Sequence, residues 1–240
     1  MNALSVIVPM LNEEGTIVRT LESIAAAAAC AAAGVEVIVV DGGSSDRSRD
    51  HARPRCATLM VAPRGLARQM NAGAAAAHGD ALAFVHADTL VPRSFASDIA
   101  AALDDPSVVG GRFDVRLDDN ALLLRLVGRL ISVRSRLSRT ATGDQAIFVR
   151  REVFERLGRY RNIELCEDLD LARRLKRAGR VACLRSCVTT SARRWRERGV
   201  LATSLRMWFI RAAFLLGVPP ARLTRLYKRG GRAENEGGGG

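Results

Sequence analysis

Three short acidic segments, two of them directly after apolar runs, hold the residue types most able to do chemistry. Asp41-Gly42-Gly43-Ser44-Ser45-Asp46 follows the run Val35–Val40, and His86-Ala87-Asp88-Thr89 follows Ala81–Val85. The third, Glu164–Asp170, contains Glu167-Asp168-Leu169-Asp170. The first sets two flexible glycines and two hydroxyls where a backbone must pass close to a ligand, so a nucleotide could sit there with Asp41 accepting from a base ring N–H. A solvated turn with Asp46 as a helix cap explains the same residues. The second puts a carboxylate, Asp88, where an oxygen-seeking Mg²⁺ or Mn²⁺ could bridge to phosphates, although a capping aspartate fits it equally. In the third, crowded carboxylates disfavour one another's ionised forms and can raise one pKa toward the range of a general base. A plain charged helix start is the competing explanation.

Two basic segments complement these. Gly65-Leu66-Ala67-Arg68-Gln69-Met70-Asn71-Ala72-Gly73 opens a helix with Arg68 and the amides of Gln69 and Asn71 as donors to an anion. Ser191-Ala192-Arg193-Arg194-Trp195 sets two guanidinium groups beside an indole, suited to holding a diphosphate and stacking a sugar ring.

The elements that must position these residues alternate. Leu4–Val8, Val35–Val40, Thr58–Ala62 and Ala81–Val85 are continuous apolar runs, as buried parallel strands require. Between them lie a helical stretch at Thr16–Ala33, a short turn after Asp46, and a second helix at Leu66–Ala77. Alternation of this kind predicts an α/β fold with a mostly parallel central sheet flanked by helices, and chemistry beyond the carboxyl ends of the strands. Beyond Pro106 the pattern predicts strands at Val108–Val115 and Ala146–Val149 and helices at Arg151–Leu157 and Asp168–Ala178. Two amphipathic helices are expected at Asn120–Leu137 and Val200–Val218. Their expected packing is apolar face on the domain and arginines toward solvent, with an anionic bilayer as the alternative partner.

The 240 residues, 48% apolar and 26% charged, suit one soluble domain at 1–228, with halves 1–105 and 106–228 and a disordered glycine-rich tail at 229–240. Thirty-seven basic against 25 acidic side chains give +12. The charge is divided, with 10 basic and 15 acidic residues in 1–120 but 27 and 10 in 121–240. All but Lys176 and Lys228 of the basic residues are arginine. A nucleic-acid-binding domain would account for the basic half, but aromatic residues at 5% offer few stacking platforms. Nucleotidyl transfer would call for a glycine-rich basic loop after the first strand, where Asn12-Glu13-Glu14 is acidic. Five scattered cysteines are expected to be reduced thiols, and no basic segment precedes the strand beginning at Leu4, so a cytoplasmic protein is expected, with association at the inner membrane face left open by the basic helices.

Together and in order, these segments resemble family 2 glycosyltransferases of the GT-A, or nucleotide-diphospho-sugar transferase, fold. The resemblance runs from Val6-Ile7-Val8-Pro9 and Leu11-Asn12-Glu13 through Val39–Asp46, Asn71-Ala72-Gly73 and His86-Ala87-Asp88 to Glu167-Asp168-Leu169-Asp170-Leu171. The segments His86-Ala87-Asp88-Thr89, Gly143-Asp144-Gln145 and Ser191–Trp195 are similar to a bacterial subgroup of short, single-domain members. The resemblance implies an inverting hexosyltransferase in which Asp168, paired with Glu167, is the general base. It implies donor contacts from Pro9, Asn12, Glu13, Asp41, Gly42, Ser44, Arg68, Asn71, His86 and Asp88, with Asp88 holding Mg²⁺ or Mn²⁺. Asp144, Gln145, Arg193, Arg194 and Trp195 would meet the acceptor or the diphosphate. The implied donor is a UDP-, GDP- or dTDP-sugar, the acceptor is open and suits a lipid-linked molecule, and nucleic acid is not a partner. His86 replaces the first carboxylate of the metal motif and Ser191 the glutamine of processive members, so transfer of a single sugar is expected.

Overall fold

The computed structural model describes residues 1–225; the tail expected at 229–240, and the last residues of the expected domain, lie outside the described residues. The first half follows the predicted alternation closely. Strands β1 (Ala3–Met10), β2 (Gly34–Asp41), β3 (Thr58–Val61) and β4 (Ala81–Phe84) are joined by helices α1 (Ile17–Ala28), α2 (Ser48–Ala52) and α3 (Leu66–Ala76). β1 pairs in parallel with both β2 and β4, and β2 with β3, so the polar segments after β1, β2 and β4 emerge at one rim. Helix α1 ends sooner than expected, and Gly34 opens β2 rather than closing the helix.

The second half extends the sheet. The elements are β5 (Thr89–Leu90), α4 (Phe95–Leu103), β6 (Val108–Leu117), α5 (Leu122–Ser138), β7 (Ile147–Arg150), α6 (Arg151–Arg156), α7 (Glu167–Ala178), β8 (Arg180–Thr190), α8 (Arg193–Arg198) and α9 (Val200–Leu215). The order across the eight strands is β3-β2-β1-β4-β7-β6-β8-β5, with β7 and β5 antiparallel to their neighbours. The apolar side chains of β1 alternate between two cores. Leu4, Val6, Val8 and Met10 pack with α1 and α4, while Ile7 packs with Met70 and Ala74 of α3. That two-sided burial is what a continuous apolar run demands.

Helices α5 and α9 reverse the expected packing. The buried residues of α5 are Leu124, Gly128, Ile131, Ser132 and Ser135, whereas Leu123, Leu126, Leu130 and Val133 are exposed. The cause lies in the fit of the inner face. A Cβ on Gly128 would come within 3.2 Å of Arg116 Cα and Val115 O, so glycine lets the helix rest closely on β6 there. Ser132 Oγ accepts from Val115 N and donates to Val115 O, and Ser135 Oγ donates to Gln145 Oε1. Behind them, Arg112 is fully buried and pairs with Asp114, which also meets Arg136 of α5. In α9 the residues Leu205, Trp208 and Phe209 face outward, and Arg206 and Arg211 are half-buried. Apolarity therefore does not by itself mark the inner face of either helix; in α5 Gly128, Ser132 and Ser135 share it with Leu124 and Ile131.

Candidate active site

At the rim, the loops after β1 and β2 are stitched to each other. Asn12, in the left-handed region at φ 53°, donates its N–H to Ser44 Oγ (2.9 Å) and accepts from Ser45 N on Oδ1 (2.9 Å). Glu13 N donates to Ser48 Oγ at 2.7 Å. Asp41 is fully buried, and its carboxylate accepts from Gly43 N, Ser44 N and Ser44 Oγ. These bonds turn the Asp41 oxygens into the loop they shape. Gly43, at φ +93°, supplies the left-handed turn this requires. Pro9 lies within β1 and is buried.

Several other expected donor contacts have structural partners instead. Gly42 is confined by Gln69, whose Oε1 would lie 2.9 Å from an added Cβ. Gln69 itself, one of the two amides expected as donors to an anion, donates Nε2 to Met10 O and Val40 O and thereby clamps the ends of β1 and β2. Asn71 is taken up on both sides by the Tyr160 backbone, donating to its O at 2.8 Å and accepting from its N at 3.0 Å. Arg68 is exposed and donates to Asn162 Oδ1. None of these five, Asp41, Gly42, Ser44, Arg68 and Asn71, lines the cavity that gathers the remaining motif residues.

That cavity, of about 500 Å³, lies beyond β4, between the 143–145 turn, the start of α7, and helices α8 and α9. His86, Asp88, Asp144, Glu167, Asp168 and Arg194 line it together. A second concavity, of about 560 Å³ beside Met1, Asp80 and Arg150, sits at the opposite end of β1 and β4 and holds none of the motif residues. Arg193 also borders the main cavity and pairs with Glu13 at 3.1 Å across 180 residues, tying the two halves of the chain at the rim. Arg194 is exposed and has no hydrogen-bond or ion-pair partner among the described residues, which leaves its guanidinium open to an anion.

The acidic start of α7 is divided by function. Asp170 turns to Arg174 (2.7 Å) and Arg161 (3.4 Å), as a charged helix start would. Glu167 and Asp168 face the cavity instead. Asp168 accepts from Gly143 N on Oδ2 and from Leu169 N on Oδ1, both at 2.7 Å, which fixes its carboxylate in place. Burial raises its pKa, helped by the charge of Asp144 and opposed by the two N–H donors and by His86. Glu167 is pushed from 4.5 to about 8, first by burial and then by the charge of Asp168. Both effects penalise the ionised carboxyl. The backbone donors aimed at Asp168 favour its anion, so Asp168 is the better placed of the two to accept a proton.

Gly143 couples this carboxylate to His86. An added Cβ at Gly143 would lie 2.8 Å from His86 Nε2 and 2.9 Å from His86 Cε1. Either the imidazole or the loop must then move, and the loop carries the N–H that orients Asp168. Gly143→Ala is expected to lower kcat by about 10- to 100-fold through this misplacement while the melting temperature stays close to that of the parent. Steady-state rates beside a thermal melt check it, and an unchanged kcat would show that the loop absorbs the methyl group.

No group of three or more His, Cys, Asp or Glu side chains converges as a metal site among the described residues. The donor set is Asp88 with His86 close by on the same cavity wall. One carboxylate plus substrate phosphates is a sufficient set for Mg²⁺ or Mn²⁺, which bind through few protein ligands.

On the acceptor side, Gln145 is fully buried and fully paired, accepting from Ser135 Oγ, Thr142 N and Thr142 Oγ1 and donating to Phe113 O. These bonds make it a brace for the turn. Trp195 borders the cavity but is buried in the main core, so its ring is not a free stacking platform. Two arginines absent from the sequence-based set enter here, Arg134 of α5 and Arg211 of α9. Arg134 is pushed down to about 10, first by burial and then by the nearby charge of Arg211. Neither has an ion-pair partner among the described residues. Only their inward turn, against the amphipathic pattern, could have signalled them.

Comparison with known proteins places the chain in a family and its fold among solved structures. The family model described as glycosyl transferase family 2 matches residues 5–158, more than half of the chain. Among solved structures, Staphylococcus aureus TarS (residues 1–349) in complex with UDP is 19% identical, with a TM-score of 0.63 over 78% of this chain and 60% of that one. The mannosyltransferase PcManGT of Pyrobaculum calidifontis, in complex with GDP-Man and Mn²⁺, is 23% identical, with a TM-score of 0.63 over 88% of this chain and 60% of its own. Glucosyl-3-phosphoglycerate synthase of Mycobacterium tuberculosis, with Mn²⁺, UDP and glucosyl-3-phosphoglycerate, is 20% identical, with a TM-score of 0.56 over 78% of this chain and 70% of that one. These likenesses establish a shared GT-A fold, and the chain spans only 36% of a longer TarS structure. A search of curated protein sequences finds no significant match.

Proposed function

The chain belongs to glycosyl transferase family 2, and from that premise we propose that it transfers one sugar from a nucleoside diphosphate sugar to an acceptor hydroxyl with inversion at the anomeric carbon. The observation that carries the reading is the pairing, on one cavity, of an oriented carboxylate at Asp168 with Asp88 and the unpartnered Arg194. In this reading the acceptor oxygen forms its bond to the anomeric carbon as the bond to the diphosphate breaks. The acceptor proton passes to Asp168, and the electron pair leaves with the nucleoside diphosphate. A single displacement of this kind inverts the centre. Mg²⁺ or Mn²⁺, held by Asp88 and the diphosphate, would supply charge neutralisation for the leaving group. Arg194, with Arg193 beside it, adds positive charge on the same side.

The donor base, from a UDP-, GDP- or dTDP-sugar, is assigned to the rim formed by Asn12, Glu13 and the loop that Asp41 shapes. Asp41 acts there by presenting the loop, with Gly42 and Ser44 as parts of that frame. The acceptor is proposed to be lipid-linked and presented at a membrane surface, with the protein on the cytoplasmic side. No helix among the described residues is long and apolar enough to cross a membrane. The test is the product released from a panel of UDP-, GDP- and dTDP-sugars with Mn²⁺ and lipid extract as acceptor source. Sugar transfer releases a nucleoside diphosphate. Release of a sugar 1-phosphate would instead favour nucleotidyl transfer, and no release with any donor would count against both.

A further inference from the structure

We propose that the outer faces of α5 and α9 dock the protein on an anionic lipid bilayer, setting the acceptor side of the cavity against the membrane surface. The two helices pack against each other. Along α5, Leu123, Leu126, Leu130, Val133 and Leu137 recur at steps of three and four and so form one stripe. On α9, Leu201, Leu205, Trp208 and Phe209 form a second stripe, continued by Leu216. All of these are between 44 and 86% exposed. Scattered apolar residues on a surface are ordinary, but two adjoining stripes are a patch that calls for a partner. The outward orientation is not a loose fit, because the glycine and serines of the inner face of α5 are engaged with β6 and Gln145.

Charge selects the occupant. Neither 120–143 nor 198–225 contains a single Asp or Glu. Arg125, Arg129 and Arg139 are exposed on α5 and at its end, and Arg198 and Arg222 flank α9. Apolar stripes bordered by arginine without any acid match an interface of acyl chains beneath anionic headgroups, where the aromatic rings of Trp208 and Phe209 also fit. A second copy of the chain would set arginine against arginine, which is repulsive. Residues 226–240 contribute only Leu226 and Tyr227 as large apolar side chains.

The inner faces of the same helices give the docking its consequence. Arg134 of α5 and Met207, Ile210 and Arg211 of α9 line the cavity. A headgroup phosphate entering from the bilayer would therefore meet Arg134 and Arg211 beside Asp168. This second part rests on the transferase reading of the cavity, while docking rests on the surface alone.

Sedimentation of the full chain with phosphatidylcholine vesicles, with and without phosphatidylglycerol, tests the proposal. Binding is expected only with phosphatidylglycerol, and Leu130→Glu combined with Trp208→Glu is expected to weaken it at least tenfold at an unchanged melting temperature. Should that pair unfold the chain, Arg125→Gln with Arg129→Gln probes the same surface and should also weaken binding. Absence of binding by the parent chain, or equal binding by the folded variants, would overturn the docking. So would a dimer seen by analytical ultracentrifugation that the substitutions dissolve without any vesicle binding. Donor binding measured on the same samples separates the two readings. Vesicle binding without donor binding retains the docking and removes the transferase reading, and the reverse removes the docking alone.

Discussion

Asp168→Asn is expected to lower turnover by about 10²- to 10⁴-fold, the range associated with loss of a general base, while leaving donor binding nearly intact. The amide is nearly isosteric and can still accept from Leu169 or Gly143 N, so the cavity should keep its shape. What is lost is the capacity to take a proton from the acceptor. The pH dependence gives a second readout of the same group. Burial raises the pKa of Asp168, and the charge of Asp144 raises it further. A base must be ionised to work, so kcat/KM should rise with pH through that raised pKa, placing the acid limb above the ordinary carboxylate range. Asp144→Asn removes a raising charge and should move the limb to lower pH. A parent limb near pH 4 that Asp144→Asn leaves in place, or turnover unchanged in Asp168→Asn, would take the base role from Asp168.

The largest expected effect on stability is at Asp114. It is buried and meets Arg112, which is itself fully buried, at 2.6 Å, while Arg136 reaches it from α5. Removing one member of a buried pair leaves a charge without compensation, and Asp114→Ala is expected to cost about 3–5 kcal/mol. Replacing both partners by apolar residues of similar size, Arg112→Met with Asp114→Leu, should recover much of that loss, since the charge to be compensated is then gone. Urea unfolding of the three proteins measures both values. Equal stability of Asp114→Ala and the parent would show that water or a neighbouring group takes over the role of the carboxylate. Because Arg136 belongs to α5, the single variant should also loosen the helix that carries Arg134 to the cavity.

β1, β2 and β4 were legible because burial on both faces leaves a continuous apolar run, as in Leu4–Val8 and Val35–Val40, whereas β3, expected as a buried strand, lies at the sheet edge with Thr58 and Val61 exposed. The carboxylates were legible for a related reason, since polar residues directly after such runs must emerge at one rim. β8 was not, because it is only partly buried and mixes Arg180, Arg185 and Ser186 with apolar residues. The orientation of α5 and α9 was misread for a different reason. Sequence amphipathicity identifies an apolar face but not what that face meets, and here Gly128, Ser132 and Ser135 make the fit to the domain. At the site, Asp41, Asn71 and Gln145 fall in motif positions yet have their polar atoms engaged within the fold. A motif locates a segment at the rim; it does not distinguish the side chain that touches a ligand from the one that shapes the loop. His86, Asp88, Asp144, Glu167, Asp168 and Arg194 do gather on one cavity.

The most direct test of the central claim is the melting temperature of the chain across a panel of UDP-, GDP- and dTDP-sugars, with and without Mn²⁺, beside Asp88→Asn. A bound donor stabilises the native state by mass action. At least one donor is expected to raise the melting temperature when Mn²⁺ is present, and Asp88→Asn is expected to abolish the metal-dependent part of the shift. A panel in which no donor stabilises the parent chain, or in which Asp88→Asn responds as the parent does, would contradict the claim.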